Sequence, residues 1–526
     1  MTIVWNAQRV SAGLSEIEIA RPVVLGRVKQ LLDDYHGIER STRYYDILLG
    51  DWCERFLHLV YVATQKLQDV DCDSQEISKT VELVAPSDTA EYFSDYPTLP
   101  TTTLATLRAL NKSGTSGIEF STVALTIRSF STVGRRNRVI AKLLQLVSWG
   151  NSPKVVFVKP FASHIPKKWI ASMISWRLWA KHDDMDIEIN TIVSPDVNWR
   201  QQNISAIDSS SSLVEVAQAI ISAHLPACVV EGFSAIRSQM LSARPNRPEH
   251  IYSSQSLWTH FAFKVLAAEW CEQGTKLHYQ QHGGWYGLDE LHVLERYERR
   301  VSDIYYTWGW SRGDSNTRPL SPAKSRNKTR RHSYDSLICF DQPSQIYRLQ
   351  YFPLPGTLET MYIHSAIFVK LRKSKKALKI RLFPGDYGSA HREAILFARP
   401  DAVFGISGDI FSQYSASRLV IHGYLGTSWL ETLGNDIPTV CFYDPAAYRF
   451  RSDAQPLLDD LSRVGILHTS GRSAAEHVNR IDGDIQSWWL STDVQSARRA
   501  FADQFANFSD NWQLDWEQEF TRELKL

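Results

Sequence analysis

Short apolar runs alternate with segments of helical spacing along the chain from residue 154 onward. In the first part of this stretch the apolar runs are Val155–Val158, Ile187–Val193, Ala227–Phe233, His250–Ser254, Leu277–Gln281 and Asp303–Gly309. In the second part they are Ser336–Phe340, Leu378–Pro384, Arg418–Gly423 and Pro438–Asp444. Since parallel strands need helical crossover connections, this alternation predicts an α/β fold with two doubly wound, Rossmann-like sheets.

A polar segment, Arg312–His332, separates the two sets of strands and contains two prolines and a run of basic residues. It is the best linker candidate, and its basic residues are typical of a solvated hinge. We therefore predict one domain over residues 1–320 and a second over residues 333–493. Parallel sheets bind ligands beyond the carboxyl ends of their strands, so two facing sheets would form a crevice for two substrates.

The two ends of the chain depart from this alternation. Arg21–Gly26 predicts a short buried strand, followed by a helical insertion over about 27–150 with a long helix at Arg43–Leu67. Residues 494–526 predict a terminal helix with six aromatic side chains between Phe501 and Phe520. We expect this helix to pack back on the first domain, because its acidic residues offset its basic ones. The alternative is a peripheral contact with a membrane.

Composition narrows the class of protein. The 526 residues are 43% hydrophobic and 22% charged, as in ordinary globular proteins, and the net charge of +1 gives no basic footprint for nucleic acid. Six scattered cysteines without a CxxC pair indicate reduced thiols and neither a disulfide framework nor a zinc site. The first residues lack a signal-peptide pattern, and no apolar run approaches 18 residues. We therefore expect a cytoplasmic protein.

The strongest local signal is the segment Val420–Pro438, VIHGYLGTSWLETLGNDIP. An apolar strand runs into glycines, and Gly426 lets the backbone approach a ligand closely. Thr427 and Ser428 open a helix whose free amides can bind an anion. Glu431 could accept hydrogen bonds from the hydroxyls of a ribose. The alternative is a capping box, in which Ser428 caps the helix and Glu431 returns the bond.

A second signal is the segment Leu277–Gly287, in which a strand ends at Gln281 and His282. Gly283 and Gly284 follow and give backbone clearance, so that His282 could bind a phosphate or act as an acid or base. The alternative is a tight glycine turn with a hydrogen-bonded histidine. We predict His282 as a catalytic candidate and the other three residues as part of the cleft.

Glu231 is a second catalytic candidate, because it lies at the end of the apolar run within Val229–Arg237. A carboxylate there would be partly desolvated and usable as a nucleophile or base. The alternative is a structural pair between Glu231 and Arg237 or another basic residue.

Charged residues at two other strand ends complete the candidate set. Lys379–Arg392 places Arg381, Asp386 and Arg392 around a strand-to-helix turn, where the arginines could neutralise the phosphates of a donor. Lys159 is a weaker case at the end of the first apolar run. Ordinary turn chemistry is the alternative for all of them.

Metal-dependent sugar transfer would need a DxD motif at the end of a strand. Three strings match, at Asp71–Asp73, Asp184–Asp186 and Asp482–Asp484, but none follows a convincing apolar strand. We therefore predict no metal site and no cofactor.

Four segments together resemble a family of transferases encoded in bacterial surface-polysaccharide clusters. These segments are RYYDILLGDWCERFLHLVY, YQQHGGWYG, IRLFPGDYG and HGYLGTSWLETLGNDIPTVCFYD. The second half looks like that of GT-B glycosyltransferases, and the chain is more distantly similar to retaining Kdo transferases, which use CMP-activated sugars. The resemblance extends over most of the chain.

The resemblance implies a metal-independent glycosyltransferase with an acceptor-side first domain and a nucleotide-sugar-binding second domain. Thr427, Ser428 and Glu431 match the donor-nucleotide motif, and His282-Gly283-Gly284 match the glycine–histidine motif of the cleft. The implied donor is a CMP-activated ulosonic acid, and the acceptor is a glycan, often lipid-linked. The alternatives are a nucleotide-sugar epimerase, a polyol-phosphate transferase or a non-catalytic scaffold. The sugar, the linkage and the stereochemical course stay open.

Overall fold

The computed structural model contains two six-stranded sheets in which every strand pairing is parallel. The residues that the structure describes are 5, 7–68, 81–89, 98–129, 154–159, 180–182, 185, 187–323, 334–341, 349, 354, 357–383, 385, 390–405 and 410–524. The two sheets confirm the predicted α/β class.

Among the described residues, three α-helices and three short strands precede the first large sheet. They are α1 (Ala7–His36), α2 (Thr42–Gln68), β1 (Val81–Leu83), α3 (Thr98–Ser113), β2 (Ile118–Phe120) and β3 (Leu125–Ser129). The predicted long helix at Arg43–Leu67 is confirmed as α2. The predicted strand at Arg21–Gly26 is wrong, because it lies inside α1. Ile17, Val24 and Val28 are all buried at helical spacing, so the wider pattern decides the conformation of this apolar run.

The next described elements include the strands of the first large sheet and its connecting helices. The elements are β4 (Val155–Val158), β5 (Ala180–His182), β6 (Ile189–Val193), α4 (Val197–Gln202), α5 (Leu213–His224), α6 (Phe233–Ala243), β7 (His250–Ser253), α7 (Ser256–Thr259), α8 (Phe261–Glu272), β8 (Lys276–Gln280), α9 (Val293–Val301), β9 (Ile304–Thr307) and β10 (Thr317–Pro319). The spatial order of its strands is β10-β9-β8-β7-β4-β5.

Two of the strands predicted for this sheet are not part of it. The run Ile187–Val193 contributes β6, which pairs antiparallel with β3 in a separate two-stranded sheet. The run Ala227–Phe233 is a turn that leads into α6, in which the amides of Val229 and Val230 donate to the carbonyl of Pro226. The run is apolar because the turn is buried in the core, and burial alone does not distinguish a turn from a strand.

The second large sheet has the spatial order β13-β12-β11-β14-β15-β16. Its elements are β11 (Tyr334–Ile338), α10 (Leu358–Leu371), β12 (Leu378–Arg381), α11 (His391–Ala398), β13 (Val403–Phe404), α12 (Ile410–Ala416), β14 (Ser417–His422), α13 (Thr427–Gly434), β15 (Thr439–Phe442), α14 (Gln455–Arg463), β16 (Leu467–His468), α15 (Gly471–Ile481) and α16 (Ile485–Trp489). All four strands predicted here are confirmed, with ends that shift by a few residues.

The predicted linker is shorter than expected at its start. Thr317–Pro319 forms β10 and pairs with β9, so these residues belong to the first sheet. Residues 324–333 of the predicted linker lie outside the described residues.

The terminal region consists of two helices instead of the single helix expected, α17 (Thr492–Phe505) and α18 (Trp512–Glu523). Phe501 of α17 packs on Trp429 of the second domain, with ring centroids 4.9 Å apart. Trp516 of α18 packs on Tyr252 of the first sheet at 5.0 Å. The chain thus returns to the first sheet through α18, and two doubly wound domains linked in this way have the predicted GT-B architecture.

The six aromatic side chains of this terminal region are all buried, with at most 4% of their surface exposed. All six therefore pack inside the protein. Among the described residues, no helix is both long enough and apolar enough to cross a bilayer.

Candidate active site between the two sheets

The loop after β8 in the first domain contacts the start of α13 in the second domain. The amide of Gly284 donates a hydrogen bond of 3.0 Å to Oγ1 of Thr427. A Cβ on Gly284 would lie 2.5 Å from the carbonyl carbon of Gly426, and one on Gly283 would lie 2.9 Å from Oγ1 of Thr427. Only glycines permit this approach. Two predicted motifs that are far apart in the sequence are therefore adjacent at the carboxyl ends of the two sheets.

The start of α13 is not a capping box. Gly426 occupies the N-cap position, and no side chain in the described residues caps the helix. The Ser428 hydroxyl lies 3.1 Å from Nδ1 of His422. Nε2 of His422 lies 3.0 Å from Oγ1 of Thr432, whose proton goes to the carbonyl of Trp429.

This arrangement determines the direction of the Ser428 hydrogen bond. Burial lowers the pKa of His422 to about 3, so its ring is neutral. Its Nε2 donates to Thr432, so its Nδ1 accepts from Ser428. Because the Ser428 proton is engaged in this way, the backbone amides of α13 are the better donors for a ligand.

Polar side chains from three elements surround the start of α13. Tyr414 on α12 donates a 3.0 Å hydrogen bond to Oε2 of Glu431, and both residues are buried. Arg381 at the end of β12 donates to Gln413, and its charge acts on Tyr414 and Tyr424. Glu431 and Arg381, predicted from the sequence, are thus brought together here, whereas the tyrosines were not predicted.

Two other predicted residues, Arg392 and Lys159, do not join this group. Arg392 is exposed on α11 and stacks over the ring of Phe404 at 4.3 Å, on the edge strand β13. Asp386 lies outside the described residues. Lys159 follows β4 with a φ of 39°, and its carbonyl accepts a hydrogen bond from Ser254.

His282 lies in the loop that meets α13, and its side chain is 19% exposed. Its Nδ1 is 3.3 Å from the hydroxyl of Tyr286 and 4.0 Å from Oε1 of Glu298. The ring of Trp258 lies edge-on to the imidazole, with centroids 5.0 Å apart. The histidine therefore has a buried polar network on one side.

Glu298 on α9 is the principal residue that the sequence reasoning missed. Its carboxyl group is fully buried, and burial raises its pKa to about 8. It accepts hydrogen bonds from Trp258 (2.5 Å), Tyr305 (2.9 Å) and Tyr286 (3.0 Å). One signal was available in the sequence: Glu298 shares a helical face with the apolar residues Leu294 and Val301.

Gln281 stabilises the Gly283-Gly284 loop from its buried side. Its side-chain oxygen accepts hydrogen bonds from the amide of Trp308 (2.9 Å) and the indole of Trp310 (2.7 Å), and its amide group donates to the carbonyl of Gly283. The side chain is fully buried, so it braces the glycine loop and does not face the cleft.

The structure corrects the placement of Glu231. The residue lies in a turn, not at a strand end, and Arg200 binds its carboxylate with two hydrogen bonds of 2.8 Å. The amide of Asp196 donates a third. The alternative of a structural pair with a basic residue is correct, but the partner is Arg200 and not Arg237, which binds Glu269. The role of Glu231 as a nucleophile stays a prediction, but its carboxylate is already held by three donors.

Acidic residues form no cluster suited to a metal ion in the part of the chain that the structure describes. In the DxD string at Asp482–Asp484, Asp482 binds Arg418 and Asp484 caps α16. The aspartates of the other two strings, at Asp71–Asp73 and Asp184–Asp186, lie outside the described residues.

The sequence profile of the LIC12162 family transferases matches residues 128–520, about three quarters of the chain. The chain therefore belongs to this transferase family. No curated protein sequence matches it.

Several solved structures resemble the chain loosely. MnaA from S. aureus, in a structure with UDP, is 9% identical over 71% of this chain and 96% of its own, with a TM-score of 0.39. MurG from Acinetobacter baumannii is 11% identical over 71% and 99%, with a TM-score of 0.33. TarM is 9% identical over 54% and 58%, with a TM-score of 0.34, so that the chain spans little more than half of TarM.

Proposed function

We propose that the protein is a glycosyltransferase that moves a sugar from a nucleotide donor on the second domain to an acceptor hydroxyl on the first. One observation carries the proposal: the His282-Gly283-Gly284 loop meets the start of α13 where the carboxyl ends of the two sheets face each other. Ligands of open parallel sheets bind at these ends, so donor and acceptor would meet at this junction.

The second domain offers suitable groups for a nucleotide. The amides and the dipole at the start of α13 would bind the donor phosphate, and the guanidinium of Arg381 would add a positive charge nearby. Tyr414 donates to Oε2 of Glu431, and the carboxylate would also accept from a ribose hydroxyl. We keep Arg392 and Asp386 as proposed donor contacts, and Lys159 as a proposed contact in the cleft.

In the proposed reaction His282 acts as the general base. It removes the proton of the acceptor hydroxyl, the oxygen attacks the anomeric carbon, and the nucleotide leaves with the electrons of its bond to the sugar. The start of α13 stabilises the charge that develops on the leaving phosphate. In the competing mechanism Glu231 attacks first and forms a covalent glycosyl ester that the acceptor displaces.

The donor that we propose is a CMP-activated ulosonic acid such as Kdo, and the acceptor is a surface glycan, free or lipid-linked, at the cytoplasmic side of the membrane. This specificity rests on the sequence resemblance. Thermal unfolding with CMP, UDP and GDP tests it, since a ligand at a hundred times its dissociation constant adds about 2.7 kcal/mol of stability. Preferential stabilisation by UDP or GDP would contradict the CMP assignment. Release of free sugar without an acceptor would favour the epimerase.

Glu431→Ala is expected to weaken nucleotide binding by about 1–3 kcal/mol, because a ribose hydroxyl would lose its charged partner. Titration calorimetry measures the change. Tyr414→Phe is the matched control, since it removes the hydrogen bond that Glu431 accepts while leaving the carboxylate in place. Equal nucleotide affinities of the parent and Glu431→Ala would mean that Glu431 does not bind the nucleotide and has only the structural role of accepting from Tyr414.

Sugar transfer is expected to continue in EDTA. Arg381 and the amides of α13 would neutralise the leaving phosphate, so that no divalent ion is needed. Product formation with and without the chelator is the measurement. Activity that disappears in EDTA and returns with magnesium or manganese would contradict metal independence.

A further inference from the structure

We propose that Glu298 and Tyr286 are positioning residues that keep the imidazole of His282 protonated at Nδ1, so that Nε2 is the nitrogen that accepts a proton. The inference deepens the proposed function, in which His282 is the base, and rests on it for its catalytic meaning. The tautomer of His282 can be measured in the protein without substrate, independently of any sugar transfer.

The direction of each hydrogen bond follows from the donor that can make it. The indole of Trp258 can only donate, and it donates to Oε1 of Glu298 at 2.5 Å. The hydroxyl of Tyr286 lies 3.0 Å from the same oxygen and has a single proton. When Tyr286 donates that proton to Glu298, its oxygen accepts from Nδ1–H of His282, 3.3 Å away. The chain of donors therefore runs from His282 through Tyr286 to Glu298.

This chain does not depend on the ionisation state of Glu298. Burial raises the pKa of its carboxyl group to about 8, so the group can carry a proton near neutral pH. Such a proton fits on Oε2, where Tyr305 lies 2.9 Å away and its oxygen can accept. With no proton, or with the proton on Oε2, Oε1 remains the acceptor for Trp258 and Tyr286.

The loop and α9 are held together at a second point, which makes the geometry rigid. The amide of Gly287 donates a 2.7 Å hydrogen bond to Oε2 of Glu295, one turn before Glu298 on the same helix. Tyr286 between these contacts is 2% exposed. Such a network favours one tautomer of the histidine, so that most molecules have the lone pair on the nitrogen that acts as the base.

The pair Tyr286→Phe and Tyr305→Phe tests the inference. Each variant removes one hydroxyl that bonds to Glu298, but only Tyr286 also contacts His282. Nitrogen-15 NMR of histidine-labelled full-length protein distinguishes the two tautomers, and His282→Asn identifies the signal. We expect the Nδ1–H tautomer in the parent and in Tyr305→Phe, and a mixture or the Nε2–H tautomer in Tyr286→Phe. The Nε2–H tautomer in the parent, or the same spectrum in all three proteins, would overturn the proposal.

A third variant, Glu298→Gln, replaces the carboxyl group by an amide of the same shape. A glutamine oxygen can still accept from Trp258 and Tyr286, so we expect the Nδ1–H tautomer to persist. In transfer assays Tyr286→Phe should lower kcat roughly tenfold or more, with little change in KM for the donor. If the tautomers behave as expected and no sugar transfer is found, the proposed function fails while the positioning role stands. Transfer with a normal kcat in Tyr286→Phe would overturn the positioning role alone.

Discussion

Replacing His282 by alanine is expected to lower the rate of sugar transfer by about 10²–10⁴-fold, the usual contribution of a general base. Nucleotide affinity should remain close to that of the parent, because the groups proposed to bind the donor belong to the second domain. The measurement is kcat under saturating donor and acceptor, together with calorimetric titration of the nucleotide.

Glu231→Ala separates this mechanism from the covalent one. If Glu231 is the nucleophile, its alanine variant loses transfer, and intact-protein mass spectrometry of the parent with donor shows a sugar-sized adduct. If His282 is the base in a single displacement, no adduct forms. Glu231→Ala also leaves Arg200 as a buried charge without its partner, so its unfolding has to be measured alongside. Near-parental turnover in both single variants would contradict the whole catalytic assignment.

Gly284→Ala is expected to reduce turnover by roughly 10²-fold, because a displacement of about 1 Å between reacting groups has an effect of this size. Its new methyl group would lie 2.5 Å from the carbonyl carbon of Gly426, so the loop and α13 must move apart. Both domains should stay folded, because the clash lies between them and not within either core. Steady-state kinetics and thermal unfolding measure the two effects separately.

Gly483→Ala is the matched control for this substitution, since a Cβ there meets nothing within 4 Å. It should retain the parental turnover. A Gly284→Ala variant as active as this control would mean that the contact between the glycine loop and α13 is not needed in the reaction.

The sequence predicted the second sheet better than the first. Its runs Arg418–Gly423 and Pro438–Asp444 became central strands, where both faces are buried and the apolar signal is continuous. In the first half, Ala227–Phe233 is equally apolar but forms a turn, and Arg21–Gly26 continues a helix. Apolar character reports burial, and these segments are buried by elements whose positions a local pattern does not reveal.

The candidate site, like the fold, could be predicted only in part from the sequence. The junction of Gly284 with Thr427 could be anticipated, because loops that follow parallel strands meet at one edge of a sheet. For Glu298 only its burial could be anticipated, from its apolar helical face; its place beneath His282 could not, since that depends on the packing of α9 against the loop after β8. Glu231 is the opposite case: the sequence indicated a catalytic carboxylate, but in the structure this carboxylate is hydrogen-bonded to Arg200.

The chain passes from the second domain at α17 to the first domain at α18, and this order has a consequence for synthesis on the ribosome. Phe157 and Tyr252 of the first sheet pack against Trp516 and Phe520, which are translated about 200 residues after that sheet is complete at β10. At the usual 5–20 residues per second this interval lasts roughly 10–40 s. During that time the aromatic face of the first sheet is exposed in the nascent chain. The first domain therefore completes its core only after α18 has been made, and the nascent chain offers a binding surface for chaperones until that helix emerges.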